Sequence, residues 1–103
     1  MRPVQRPVRE HPRIATGFPV HLDLGARQLE ARARNLSMAG LYLDGALLLP
    51  NIVRARIPLP GVAREVRTTC QVERRDRQGI ALSFAAIDWE DLLLVARYLS
   101  PRL

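Results

Sequence analysis

The sequence predicts an all-β fold, a six-stranded antiparallel barrel, with a single C-terminal helix over one opening. Two observations support this prediction. Apolar and polar residues alternate along short segments between Phe18 and Phe84, and the spacing becomes helical after Phe84. Short strands at regular intervals followed by one helix are typical of small barrels. A chain of 103 residues has room for one such domain.

Six segments are predicted to be strands. Five of them have mostly apolar residues on one face, which in chain order are Val20, Leu22 and Leu24; Leu29, Ala31 and Ala33; Val53, Ala55 and Ile57; Val66, Thr68, Cys70 and Val72; and Ile80, Leu82 and Phe84. The remaining one, third in chain order, is the short run Leu41-Tyr42-Leu43. Pro50, Pro58 and Pro60 bound the fourth segment, which predicts an edge strand or a bulged one. The turn from Asp76 to Gly79 predicts a hairpin between the last two segments.

The final segment has the spacing of an amphipathic helix. Its apolar positions are Trp89, Leu92, Leu93, Ala96 and Leu99, and Pro101 ends the run. Asp88 is the candidate N-cap, and a carboxylate at Asp91 suits the positive end of the helix dipole. We expect Trp89 to pack on the barrel.

The N-terminal segment differs from the rest of the chain. Residues 1–13 hold three prolines and four arginines without hydrophobic periodicity, which predicts a flexible arm ahead of a barrel and helix at 14–103. The whole chain has 16 basic residues, all of them arginine, against 10 acidic ones, and its net charge is +6. Arginine offers planar, bidentate donors that suit phosphates and guanine edges.

Several classes of protein are not supported by the sequence. No apolar run approaches the ~20 residues that cross a bilayer, and the N-terminus lacks the apolar core of a signal peptide, so we expect a cytoplasmic location without a membrane association. Cys70 is the single cysteine and is expected to be a buried thiol. His11 and His21 have no neighbours at metal-ligand spacing, and Ser37 has no recognisable base partner. We therefore expect neither an enzyme nor a bound cofactor.

Two short motifs carry candidate binding chemistry. Arg9 and Arg13 form an R-x-x-x-R pair, of which about two are expected by chance in this composition. Asn35, Ser37 and Gly40 form an N-x-S-x-x-G motif, for which chance predicts only about 0.01 occurrences. These three residue types favour a turn. Such a turn can present hydrogen-bonding side chains to a purine edge, and its glycine permits a positive φ or a close approach.

The order and context of the two motifs resemble the signature of the PilZ domain, a bacterial receptor for cyclic di-GMP. The segment Gly79–Phe84 is also similar to a late strand of that family, and the resemblance covers residues 6–100. It implies a PilZ-like barrel that binds cyclic di-GMP and relays the signal to a protein partner. From the proline-rich composition of residues 1–13 we predict that the ligand orders this arm across the barrel. The ligand-binding residues that it implies are Arg9, Arg13, Asn35, Ser37 and Gly40.

Two other functions fit parts of the same sequence. One is a PilZ-like adaptor that contacts proteins without binding nucleotide, and the intact motif residues argue against it. The other is a basic barrel that binds RNA or single-stranded DNA. Such barrels display aromatic stacking platforms on their strands, whereas Phe18, Phe84 and Trp89 are expected in the core here.

Overall fold

A computed structural model describes residues 11–103, which form seven strands and one α-helix. The strands are β1 (Ile14–Ala15), β2 (Pro19–Asp23), β3 (Gln28–Leu36), β4 (Gly40–Asp44), β5 (Ile52–Ile57), β6 (Val66–Arg75) and β7 (Gly79–Ala86). The helix is α1 (Trp89–Leu99), followed by a single 3-10 turn (Ser100–Arg102). Within residues 11–103, no helix has the length and apolarity needed to cross a membrane.

Six of the strands close into a barrel. Their order is β3–β2–β5–β6–β7–β4, and β4 pairs back onto β3 to complete the ring. The predicted six-stranded antiparallel barrel is therefore confirmed. The expectation of an edge or bulged fourth segment was wrong, because β5 pairs in regular register with both β2 and β6. Pro50 and Pro58 lie just outside β5, so they remove no hydrogen bond from its ladder.

The core fills the barrel with the alternate residues of each strand. The largest side chains that are fully buried include Leu22, Leu36, Leu43, Ile57 and Ile80, one from each of five strands. Burying an aliphatic side chain of this size contributes about 1.5–3 kcal/mol. This interior, made of apolar residues, leaves polar side chains on the outer wall, where a ligand can reach them.

The short strand β1 lies outside the closed ring. It pairs with the second half of β3, while β2 pairs with the first half. The sequence did not predict β1, because two residues are too few to show an alternation. Residues 1–10, which hold most of the predicted arm and Arg9, lie outside the described residues.

Helix α1 begins and ends where its spacing predicts, but it buries a different face. Asp91, Val95, Tyr98 and Leu99 are buried against the barrel, whereas Trp89 is 72% exposed. The expectation that Trp89 packs on the barrel was therefore wrong. Asp88 occupies the N-cap position, but its side chain makes no capping hydrogen bond.

The buried face of α1 is chosen by two contacts that the apolar spacing does not reveal. The carboxylate of Asp91 accepts hydrogen bonds from Arg64 at 2.6 Å and from the backbone N–H of Arg67 at 3.3 Å. The Tyr98 ring meets Phe18 edge to face, with ring centroids 5.9 Å apart. Because a buried carboxylate needs such partners, its ion pair holds the start of the helix in one rotation about its axis.

We predict that Cys70 is inert in the folded protein. Burial raises the pKa of its thiol to about 12, so almost no thiolate, the reactive form, exists near neutral pH. An aromatic disulfide reagent at about pH 8 should modify Cys70 only after guanidinium chloride unfolds the chain. Stoichiometric modification without denaturant would contradict this prediction.

Candidate ligand-binding site

The predicted motif Asn35–Gly40 forms the tight turn between β3 and β4. The backbone N–H of Ser37 donates to the Gly40 carbonyl at 2.8 Å, and the N–H of Ala39 donates to the Ser37 hydroxyl at 3.1 Å. Ser37 is only 5% exposed, and its hydroxyl also lies 3.5 Å from the Gly40 carbonyl as a donor. Its position inside the turn shows that Ser37 shapes the loop. Contact with a purine edge, which the motif implies for Ser37, stays a prediction.

Gly40 is required by the approach of two strands. Its φ is not positive, so the conformational freedom considered from the sequence is not used. A Cβ at this position would collide with the backbone carbonyl of Leu82 and crowd the Cα of Ser83. Gly40 therefore lets β4 and β7 come together at the point where the turn joins the barrel.

The pairing of β1 with β3 brings the arginine motif to this turn. Ile14 lies opposite Leu36 and Ala15 opposite Asn35, so the exposed Arg13 directly precedes the pair next to the turn. Just after β1, the N–H of Thr16 donates to the carbonyl of Arg34 at 2.8 Å. The structure thus brings Arg13 to the same end of β3 as Asn35, Ser37 and Gly40, while Arg9 lies outside the described residues.

A bulge in β3 places Asn35 on the outer wall of the barrel. The register shifts between Ala33 and Asn35, so that Arg34 and Asn35 together oppose Tyr42 of β4. Since Ala33 and Leu36 are both fully buried in the core, Arg34 and Asn35 both lie outside it. In the described part of the chain, the Asn35 amide makes no hydrogen bond, so it is available to a ligand.

Next to Asn35, the outer wall carries two arginines that flank a tyrosine. The guanidinium of Arg34 lies 5.2 Å from the centroid of the Tyr42 ring, and that of Arg74 lies 5.9 Å from it. Ala81 of β7 stands between Tyr42 and Arg74 in the strand register, and its small side chain leaves room for Arg74 to reach the ring. Arg34 is also paired with the carboxylate of Asp44 at 2.5 Å.

The Tyr42 hydroxyl is tied to a carboxylate at the β6–β7 turn. It donates to Asp76 at 2.6 Å, and the backbone N–H groups of Gln78 and Gly79 donate to the same oxygen. This hydrogen bond lowers the pKa of Asp76 and raises the pKa of Tyr42. The tyrosine therefore stays neutral and the carboxylate ionised at physiological pH, which fixes the ring between the two arginines.

These additional residues were missed from the sequence. Arg34 is adjacent to Asn35, and Tyr42 is the polar-tipped centre of the triplet Leu41–Leu43, so both gave a local signal of an outward position. Arg74 gave none, because its approach to Tyr42 depends on the pairing of β6, β7 and β4. Arginine guanidinium groups and a carboxamide suit an anionic ligand with a purine edge. In residues 11–103, no cluster of three or more histidine, cysteine or acidic side chains could hold a metal ion.

The fold and the site together define a small β-barrel protein with a candidate ligand face on its outer wall, beside the N-terminal segment. The chain belongs to the PilZ domain family, whose model matches residues 7–100. PilZ domains form a family of cyclic di-GMP receptors that act as regulators. A search of curated proteins gave no match.

Two solved structures share the fold. The Bacillus subtilis inhibitor of motility, MotI/DgrA, is 21% identical with a TM-score of 0.78 over 96% of this chain. This chain spans 51% of the length of that protein. The PilZ domain of CeSA from a cellulose-synthesizing bacterium is 20% identical with a TM-score of 0.66, over 88% of this chain and 97% of its own. At these identities the likeness establishes the fold alone.

We predict that Gly40→Ala destabilises the barrel in the absence of any ligand. The new methyl group would force β4 and β7 apart, which should lower the free energy of unfolding by at least about 2 kcal/mol. Urea denaturation measures this change. Gly17→Ala is the matched control, because among residues 11–103 no atom beyond its chain neighbours lies within 4 Å of the added Cβ, and its φ is not positive. Equal stabilities of the two variants would show that Gly40 is not needed for packing.

Proposed function

We propose that this protein is a cytoplasmic receptor for cyclic di-GMP that passes the signal to a protein partner. The observation that carries the proposal is the register of β1 against β3, which sets Arg13 beside the turn that bears Asn35. Membership of the PilZ family supports the choice of messenger. The fold neighbour MotI/DgrA is, by its name, an inhibitor of motility, which supports a regulatory output through another protein.

The chemistry of the messenger matches the residues at the site. Cyclic di-GMP presents two guanines and two phosphodiesters. In the proposal, Arg9 and Arg13 fork onto guanine O6 and N7 or onto phosphate oxygens, as arginine does in other guanine and phosphate sites. The carbonyl of the Asn35 amide accepts from the guanine N1–H or N2–H₂ group. Arg34 adds guanidinium N–H donors next to Asn35 on the same wall, with its charge paired to Asp44.

The barrel itself needs little change to bind. The turn is closed by its own hydrogen bonds and β1 is already paired, so the receiving half of the site is pre-formed. In the proposal, the messenger bridges Arg9 and Arg13 to this half and orders the arm across the outer wall. The ordered arm and the ligand then create a composite surface for the partner, as in other order–disorder switches.

A PilZ-like adaptor without nucleotide binding is the second candidate, and the turn gives a specific reason to retain it. Ser37 and Gly40 are both explained by the shape of the turn and the approach of β7. They would therefore be kept in a barrel that binds no nucleotide. The case for a receptor rests on the arginine pair and Asn35. The exposed Trp89 does not revive an RNA-binding function, because it stands on α1 and not on a strand platform.

We predict that calorimetric titration with cyclic di-GMP gives saturable binding and that Arg13→Ala weakens it at least about 10-fold. Loss of one charge-assisted hydrogen bond costs about 1.5–3 kcal/mol, which corresponds to that change or a larger one. Arg77→Ala is the control, since it removes the same charge from an exposed turn between β6 and β7. Absence of heat with the native protein would favour the adaptor. Equal losses of affinity in the two variants would show that Arg13 contributes only its positive charge.

We also predict that the messenger protects the arm from hydrogen exchange. Backbone amides within residues 9–13 should exchange at least about 10-fold more slowly in saturating cyclic di-GMP, because an ordered segment exposes its amides less often. Amides in the β5–β6 ladder serve as the internal reference. Exchange in the arm that stays fast in a protein shown to bind the messenger would exclude the ordering mechanism.

A further inference from the structure

A second concave site lies between the last turns of α1 and the loop that joins β5 to β6. It is a cleft of about 350 Å³, a size at the lower end of small-ligand and side-chain pockets. Its apolar walls come from Pro60, Val62, Leu94, Tyr98 and Pro101. None of these residues belongs to the messenger site.

The loop wall of the cleft is held in place by the core. Leu59 is buried at the start of the loop, and its carbonyl accepts a hydrogen bond from the N–H of Val62 at 3.2 Å. Between them, Gly61 has a φ of +76°, in the left-handed region that glycine adopts without strain. The cleft is therefore formed before anything binds, which lowers the entropic cost of binding.

The rim of the cleft is positively charged. Among residues 11–103, its charged lining residues are Arg97 and Arg102, and no carboxylate lines it. Arg102 is fixed over the Tyr98 ring at 3.9 Å and donates to the Tyr98 carbonyl at 2.6 Å. In the described part of the chain, Arg97 is exposed and makes no ion pair, so its guanidinium is available to a partner.

A larger groove near the start of α1 does not share this character. Four arginines and four carboxylates line it, and its charges balance. Two of the carboxylates already pair with arginines of the same groove, as in the contact of Arg64 with Asp91. That groove therefore favours neither an anionic nor a cationic partner, whereas the smaller cleft favours an anionic one.

We infer that the cleft docks an acidic segment of a partner protein. One apolar side chain of the segment occupies the space between Val62 and Leu94, and neighbouring carboxylates pair with Arg97 and Arg102. A second copy of this chain is a poorer occupant, because the net charge of +6 makes two copies repel each other. The docking segment thus combines an apolar anchor with flanking aspartate or glutamate.

The cleft is physically linked to the bulge of β3 that presents Asn35. Tyr98, which forms one of its walls, packs edge to face on Phe18. The carbonyl of Phe18 accepts from the N–H of Ala33, next to the bulge that presents Asn35. If the proposed function holds, ordering of the arm by the messenger stiffens Phe18 and Tyr98, and the docked segment then binds more tightly.

The test begins with a phage-displayed library of random 12-residue peptides selected on the purified protein. We expect enriched peptides that place aspartate or glutamate beside a large apolar residue.

Synthetic dye-labelled copies of these peptides are then titrated by fluorescence anisotropy. Arg97→Glu should weaken their binding at least about 10-fold, since it removes a charge-assisted contact, and Arg77→Ala should leave it unchanged. Arg97 makes no described ion pair, so its substitution should spare the fold. Arg102→Ala gives a second measurement, with the melting temperature as its folding check.

Three outcomes would overturn the docking inference: no enrichment, enrichment of basic peptides, or acidic peptides whose affinity is unaffected by Arg97→Glu. The coupling is tested separately by repeating the titration in saturating cyclic di-GMP, which should tighten peptide binding about threefold or more. An unchanged affinity in a protein that binds the messenger overturns the coupling. A protein that binds no messenger overturns the proposed function, while the peptide titration still decides whether the cleft is a docking site.

Discussion

The candidate site depends on the pairing of two residues, Ile14 and Ala15, with the last residues of β3. Without it, Arg13 would belong to a segment with no fixed relation to the barrel, and the turn at Asn35 would face solvent alone. The pairing is made by backbone hydrogen bonds and is reinforced by Thr16, whose hydroxyl donates to the Ala33 carbonyl at 2.6 Å. A short strand outside the closed ring thus brings residues that are about 20 positions apart in sequence onto a single surface.

The motif residues divide into two groups when they are seen in the fold. Ser37 and Gly40 build the turn and allow β4 to approach β7. Arg13 lies beside the same end of β3, and the amide of Asn35 makes no hydrogen bond within the described residues. The bulge joins the two groups, because it turns Asn35 outward within a strand whose next residue, Leu36, is fully buried.

Most of the barrel could be predicted from the sequence, because six strands alternate and the helix has its own period. The rest depends on contacts between segments that are distant in sequence. Trp89 was assigned to the core by its apolar spacing, whereas the partners of Asp91 on another segment decide which face of α1 is buried. In the same way, the Arg74 contact with Tyr42 requires three strands to be in register. Motif spacing identified the turn, but not the neighbours that adjoin it.

The role of Gly40 in packing has a consequence for how such motifs evolve. A barrel that lost its messenger would still need a residue without a Cβ where β4 meets β7, and a hydroxyl inside the turn. Relaxed selection would therefore erase the arginines of the N-terminal segment first and the serine and glycine last. Among descendants of such a barrel, a retained turn motif follows from folding constraints, and under the proposed function only the arginine pair and Asn35 report whether the nucleotide is still bound.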